Sequence, residues 1–424
     1  MQRQHYSEIP QPSEPDDRAA PTVTGKAIFC EPSIWTLCNF RLNLMTALQR
    51  RGFEVVAAAP EPDSEGKLAA LGIRTVVFPA NQVGMNPFAE LWTVISLWRL
   101  FRRERPDLIH QSTQKLVLYC GFAGRFAGVP AIVSTINGLG SALGNRKGIR
   151  HFLFGQLIGM VSRLALYRPV RVCFQNEYLK AFYLERNIVM PDQVTIIPGS
   201  GADPEKYFPR PREQDDSRPL RFLMFSRMIW HKGVEEYCRA AEIIVSRRNP
   251  ARAVEFVLLG GARPNNSTGV HREWIANPST IPGEWLEEES AKGFVRWIPH
   301  SEDALDEIQA ADVVVLPSYY SEGVPRSLIE ALACGKAVIT TDLPGCRDVV
   351  EAGRNGLLVP PRDVEALVDA MMRFADACDT AAELGVQSRT LFLERFSDKQ
   401  VVARTLRQYK LAGIPIPGLT GDSA

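Results

Sequence analysis

The stretch LRFLMFSRMIWHKGVEEYCRAAEIIV, residues 220–245, decides how the whole chain reads. LRFLMF (220–225) is a short apolar run, the kind that makes a strand covered on both faces. From Gly233 the period changes, and Val234, Tyr237, Cys238, Ala241, Ile244 and Val245 fall on one helical stripe. A buried strand, a short polar loop and an amphipathic helix form the repeating unit of a parallel sheet. Working outward, the unit recurs. Downstream, VEFVLLGG (254–261), FVRWI (294–298), DVVVLP (312–317) and KAVITT (336–341) read as strands. Upstream lie KAIFC (26–30), FEVVAAA (53–59), IRTVVF (73–78), DLIH (107–110), AIVSTI (131–136), RVCF (171–174) and QVTII (193–197). Helices are expected from about Phe40 to the stop at Gly52, between Phe88 and Arg105, and near 115–127.

IPGSGADPEKYFPRPREQDDSRP (197–219) interrupts this alternation with proline, glycine and charge, as a linker does. The expected fold class is therefore α/β, with two Rossmann-like doubly wound domains facing across a cleft. Residues 1–25 read as a flexible tail and 26–205 as the first domain. Residues 206–390 read as the second, and 391–424 as a C-terminal helix that packs back on the first domain, followed by a tail. Sheets of this kind bind ligands outside the carboxyl ends of their strands, so chemistry is expected on the loops that follow strands.

Composition excludes several classes. The chain has 424 residues, 45% of them hydrophobic and 23% charged, with a formal net charge of +1. Disorder needs lower hydrophobicity and more net charge, and this length divides into more than one core. A near-zero sum also argues against a uniform field for coating nucleic acid. Eight cysteines are scattered without a C-x-x-C pair or zinc-ligand spacing, which reads as reduced thiols packed in cores. Residues 1–25 carry no secretory pattern, and no apolar run reaches the length of a spanning helix, so a soluble or peripheral protein is expected.

Two segments carry chemistry. In SRMIWHKGV (226–234), Arg227 and Lys232 flank a strand-to-helix loop, where two cations beside a helix N-terminus suit a diphosphate. On spacing alone they read equally as solvated surface cations. In LPSYYSEGVPRSLIEALACG (316–335), a strand ends and a turn holds Glu322 and Gly323. Pro325 opens a helix that Gly335 stops, and Glu330 lies within that helix. Carboxylates at Glu322 and Glu330 can accept hydrogen bonds from sugar hydroxyls, although an ordinary charged helix start fits the same spacing.

Together these segments resemble the family 4 glycosyltransferases of the GT-B fold. The resemblance is carried by R-x4-K at Arg227–Lys232, E-x7-E at Glu322–Glu330, TTDLPGCRDVVEAGRNGLLVPPRD (340–363) and VTIIPGSGADPEKYFP (194–209), and it spans roughly residues 25 to 410. It implies a nucleotide-diphosphate-sugar donor on the C-terminal domain and transfer with retention of configuration. Arg227 and Lys232 would grip the diphosphate, and Glu322 would bond the donor sugar. Amides of Gly323, Val324 and Arg326 would line the same turn, and Glu330 would hold the ribose. NFRLNL (39–44), IHQSTQKLVLYC (109–120), INGLGSAL (136–143), GSGAD and EGVPR further resemble bacterial enzymes that extend undecaprenyl-diphosphate-linked sugars with N-acetylhexosamine from UDP donors. That narrower likeness puts His110, Thr113 and Lys115 on the acceptor side. Ser112 stands where many members have a second histidine, and Leu116 stands where proline is usual. No D-x-D triplet is present, so no cofactor beyond the UDP-sugar co-substrate and no obligatory metal are expected.

Charge is unevenly spread. Residues 26–210 carry a net +9 and residues 211–424 a net −6, so the near-zero sum is a cancellation. From Leu108 to Asn176 there are eight basic residues and no acidic one. HFLFGQLIGMVS (151–162) lies inside that span, next to GNRKGIR (144–150). A basic, apolar helix suits the interface of an anionic bilayer, with Arg146, Lys147, Arg150 and Phe152 as the contacts. A core helix with solvated charges is the alternative; a nucleic-acid face lacks any recognition motif. The expected partners are a UDP-sugar, a lipid-linked acceptor and an anionic membrane, at the cytoplasmic face of the plasma membrane. A soluble acceptor is the main rival reading, ahead of a UDP-sugar epimerase or a non-catalytic scaffold of the same fold.

Overall fold

A computed structural model describes residues 24–80, 86–139, 149–167, 170–210, 218–248, 250–261, 279–299 and 304–419. The first sheet contains β1 (Gly25–Cys30), β2 (Phe53–Ala59), β3 (Arg74–Val77), β4 (Leu108–Ser112), β5 (Ala131–Ile136), β6 (Val170–Phe174) and β7 (Val194–Ile196). Its order is β3-β2-β1-β4-β5-β6-β7, parallel throughout. The second contains β8 (Leu220–Phe225), β9 (Val254–Leu259), β10 (Arg296–Ile298), β11 (Val313–Leu316), β12 (Ala337–Thr341) and β13 (Gly356–Val359). It runs β10-β9-β8-β11-β12-β13, again parallel. Both orders reverse beside the first strand, between β1 and β4 and between β8 and β11, where a doubly wound sheet opens a crevice.

Alternation within the strands assigns the helices to two faces. In β1, Ile28 and Cys30 face the core with α2 (Pro87–Glu104), α3 (Gln114–Ala127) and α5 (Glu177–Glu185). Helix α4 (Ile149–Ala165) lies against α3 in the same layer. Ala27 and Phe29 face the other way, toward α1 (Leu42–Gln49) and the C-terminal α12 (Asp398–Leu411), which inserts Val401, Leu406 and Tyr409. Helix α12, which follows the second domain, thus packs in the core of the first sheet. Before α1, one turn at Ile34–Thr36 and a π-helical turn at Leu37–Arg41 carry the chain over the edge of β1.

In the second half, α6 (Val234–Arg247) buries Val234, Tyr237, Cys238, Ala241 and Ile244. The Tyr237 hydroxyl donates to the Phe222 carbonyl at 3.0 Å, so its burial leaves no orphaned polar atom. Val245, assigned to that stripe from the sequence, is instead 48% exposed at the stripe's edge, beside the buried Ile244. The remaining helices are α7 (Gly283–Ala291), α8 (Leu305–Ala310), α9 (Arg326–Ala333), α10 (Val364–Asp376) and α11 (Cys378–Leu391). Strand β13 was not expected from the sequence, since GLLV is short and opens on glycine. Beta4 extends two residues past DLIH because Gln111 and Ser112, though polar, are fully buried.

Candidate active site

Lys232 closes a single 3₁₀ turn, Trp230–Lys232, between β8 and α6. Gly233 follows at φ 82°, and a Cβ there would stand 2.1 Å from the Pro317 carbonyl oxygen. Glycine therefore lets the loop after β8 lie directly on the end of β11. That contact brings Lys232 to Glu322, ninety residues away in sequence: Nζ lies 2.7 Å from Oε1 and 2.6 Å from Oε2. The two side chains are only 12% and 22% exposed. Ser318 Oγ donates to Glu322 Oε1 at 3.3 Å. Arg227 is exposed on the same loop and makes no side-chain hydrogen bond or ion pair among the described residues. Tyr320 is half exposed beside them; burial first, then the Glu322 charge, raises its hydroxyl above the ordinary tyrosine range.

The turn at Glu322–Val324 meets the first domain. Asn176 Nδ2 donates to the Glu322 carbonyl at 3.1 Å, and Gln175 Oε1 accepts from the Val324 amide at 2.9 Å. A Cβ on Gly323 would lie 1.9 Å from Gln175 Oε1 and 2.5 Å from the Asn137 carbonyl, so only glycine fits. The Val324 amide, expected to line the donor turn, is therefore held by Gln175 in this state. Arg326 does more than offer an amide. Its Nε donates to Glu330 Oε1 at 2.8 Å, and its Nη1 reaches the Asn39 carbonyl at 3.1 Å and Ser200 Oγ at 3.3 Å. The guanidinium also sits 5.6 Å from the Phe40 ring. Glu330 is thus near the donor turn but paired, with the half-buried Tyr207 hydroxyl on its other side.

Sequence reasoning passed over Asn137, Gln175 and Asn176. One signal was available: all three follow β5 or β6, at the carboxyl ends of strands where ligands and domain contacts gather.

On the acceptor side the structure corrects one expectation outright. His110 is 1% exposed, and both ring nitrogens are engaged inside the protein. Nδ1 lies 2.7 Å from the Tyr409 hydroxyl and Nε2 lies 3.2 Å from Thr135 Oγ1. The ring stacks on Phe29 at 5.4 Å. Burial first, then the Arg41 charge, holds the imidazole well below its ordinary range. His110 is a core histidine that ties α12 to β4, not a group on the open face. Thr113, the residue directly after β4 ends its buried run, is half-buried at φ 70° and ψ 147°, a region β-branched residues rarely enter. Lys115 pairs with Glu90 at 2.9 Å, and the Tyr119 hydroxyl bonds the other oxygen of the same carboxylate. Beneath them Glu31 is fully buried, accepting from Arg41 Nε at 2.7 Å and from Ser112 Oγ. A buried pair with its remaining lone pair satisfied is costly to break, by about 3–5 kcal/mol if one partner is removed.

The proposed membrane contacts Arg146 and Lys147 lie outside the described residues, as do the side chains of Arg150 and Phe152. Among the described residues, no group of three or more His, Cys, Asp or Glu side chains could hold a metal ion, and no helix is long and apolar enough to cross a membrane.

Two facing doubly wound sheets, with a paired cation and carboxylate at their strand ends, define a class of two-domain transferase. Residues 39–199 match the family model described as a glycosyl transferase 4-like domain, and residues 219–377 match that described as glycosyl transferases group 1. The chain belongs to this family of glycosyltransferases of the GT-B fold. A Campylobacter jejuni relative, N,N'-diacetylbacillosaminyl-diphospho-undecaprenol alpha-1,3-N-acetylgalactosaminyltransferase, is 27% identical over 78% of this chain and 84% of its own. UDP-Gal:alpha-D-GlcNAc-diphosphoundecaprenol alpha-1,3-galactosyltransferase of Escherichia coli is 24% identical over 72% of this chain and 75% of its own. Among solved structures, Anabaena HepE in complex with UDP superposes with a TM-score of 0.69 at 18% identity, covering 91% of this chain and all (100%) of that one.

Proposed function

We propose that the protein transfers a sugar, an N-acetylhexosamine, from a UDP-linked donor to a polyprenyl-diphosphate-linked acceptor in bacterial surface glycan assembly. The observation that carries this is the Lys232–Glu322 pair beside the exposed Arg227, which has no side-chain partner among the described residues, at the carboxyl edge of the second sheet. The names of the Campylobacter and Escherichia relatives support the donor and acceptor classes.

The arrangement performs the step as follows. The donor diphosphate enters between Arg227 and Lys232 and displaces the Glu322 carboxylate from the ammonium. Glu322 is then released to accept a hydrogen bond from a donor-sugar hydroxyl, while Glu330 exchanges Arg326 for the ribose hydroxyls. Cleavage of the bond between the anomeric carbon and the diphosphate oxygen leaves negative charge on the diphosphate. Fixed cations favour that charge more in the transition state than in the ground state. The acceptor hydroxyl attacks the same face of the sugar and gives its proton to the departing phosphate oxygen. Configuration is retained, and no histidine base is required. With no metal in the scheme, the two cations carry the whole of the charge stabilisation. The acceptor lipid keeps the enzyme peripheral on the inner, anionic face of the plasma membrane.

Incubation with a panel of UDP-sugars, reading thermal stabilisation and slow donor hydrolysis, tests this reading. A UDP-N-acetylhexosamine is expected to give the largest shift. A larger response to a non-uridine donor, or none to any UDP-sugar, contradicts it.

A further inference from the structure

Helix α2 is apolar on the wrong side. Its inner face buries Thr93, Leu97, Leu100 and Phe101, which is what an amphipathic helix on a sheet requires. The outer face should then be polar. Instead Phe88 is 83% exposed, Leu91 57%, Trp92 52% and Trp98 38%, at spacings that spread them over one face about 120° wide, opposite the buried side. Pro87 at the first helical position, and the Asn86 side chain accepting from the Phe88 amide at 3.0 Å, fix the end that carries Phe88.

The charges on α2 are sorted as well. Both of its carboxylates are neutralised on the domain side: Glu90 by Lys115 and Tyr119, and Glu104 by Lys26 and Arg74. The hydrogen bond from Arg74 holds Glu104 below the ordinary carboxylate range. Outward stand Arg99, whose guanidinium lies 5.5 Å from the Trp92 ring, and the exposed Arg102; the exposed Arg103 reaches Glu104 at 3.2 Å. On the other side of α3, in the same layer, α4 exposes Leu157, Met160 and Leu164 at helical spacing. Together these are exposed aromatic and aliphatic groups with arginine among them, and both carboxylates of α2 are paired away from that outer face.

We propose that the outer face of α2 is the surface by which the protein docks on an anionic phospholipid bilayer, with the helix lying in the plane of the interface. Tryptophan and phenylalanine partition to the headgroup boundary, and arginine stems run along it while their heads reach phosphate. A bilayer, rather than a protein groove, fits because the apolar groups are spread over two helices and the flanking charge has one sign, matching the net +9 of the first half. The choice of lipid rests on the reading above, in which the acceptor is lipid-linked.

The test uses the full-length protein with vesicles of phosphatidylcholine, alone or containing phosphatidylglycerol. Phe88→Glu/Trp92→Glu is compared with Val386→Glu, a control at a residue 65% exposed on the second domain. The wild type and the control are expected to sediment with phosphatidylglycerol vesicles and to show quenching by brominated lipid. The double variant should bind at least about tenfold more weakly, the loss expected when two apolar groups no longer leave water. Equal sedimentation of the double variant and wild type overturns the proposal. So does a wild type that ignores vesicles but forms a dimer split by the double variant, since a second copy then covers the face. Donor hydrolysis without vesicles separates this from the functional reading: the double variant should match wild type. If neither protein hydrolyses a UDP-sugar, the enzymatic reading fails while sedimentation still decides the docking surface.

Discussion

The carboxyl edges of the two sheets handle charge in opposite ways. At the second sheet, Lys232 and Glu322 form a direct, partly exposed pair, and Arg227 is exposed and makes no side-chain hydrogen bond or ion pair among the described residues. At the first sheet, Glu31, Arg41, Ser112 and His110 are sealed in, each held by another protein group. An exposed cation with a partner that can be exchanged is prepared for a ligand. A buried network that is already satisfied is prepared to hold a shape. The second half therefore holds a pair that a ligand can exchange, and the first half holds a closed network and, through α2, an outer face.

Four predictions bear on that contrast, in descending order of effect. Lys232→Ala should lower turnover by at least about a hundredfold, as loss of one preorganised charge contact does, while the melting temperature moves little. A turnover within a few fold of wild type would remove the donor-side assignment. Gly323→Ala drives a methyl group into Gln175 and the Asn137 carbonyl, and overpacking of this kind costs about 1–3 kcal/mol. Chemical denaturation should show that loss together with weaker donor binding; an unchanged midpoint would mean that the domains part without cost.

The third concerns pH. His110 in the folded protein titrates below its ordinary value of 6.5, because burial disfavours its charged form. The unfolded chain then binds the extra proton as pH falls below about 6.5, so stability drops there by at most about 1.4 kcal/mol per pH unit and is whole above it. His110→Gln should flatten that slope in urea unfolding between pH 5 and 8, with activity retained in the surviving folded fraction. An unaltered slope would place the proton elsewhere. The smallest expected effect is that of a chelator: turnover should stay within measurement error, and abolished activity would require a metal in the donor site.

The fold was legible because a parallel sheet writes itself locally. AIVSTI and LRFLMF match β5 and β8 residue for residue, since strands buried on both faces need mostly apolar runs. Beta13 was missed where the run is short and begins with glycine, and its place depends on pairing with β12. Arg227, Lys232, Glu322 and Glu330 lie within single loop-to-helix segments, but spacing alone left them ordinary surface charges, and only the resemblance to a known family singled them out. That Lys232 reaches Glu322 is a tertiary fact, set by the close passage of Gly233 on Pro317. His110 shows the limit more sharply. Its partner Tyr409 is 299 residues away on a helix that follows the other domain, so nothing near DLIH tells a core histidine from an exposed one. Likewise the exposed apolar face of α2 has the composition of an ordinary helix until the buried side is known.

The central claim is that the donor diphosphate replaces Glu322 on Lys232. The most direct measurement is UDP affinity by calorimetry for wild type, Lys232→Ala and Glu322→Gln. The account predicts that Lys232→Ala weakens UDP by at least about tenfold, whereas Glu322→Gln, which removes the competing carboxylate charge, leaves UDP binding equal or tighter while lowering transfer. Weaker UDP binding in Glu322→Gln together with unchanged binding in Lys232→Ala would contradict it.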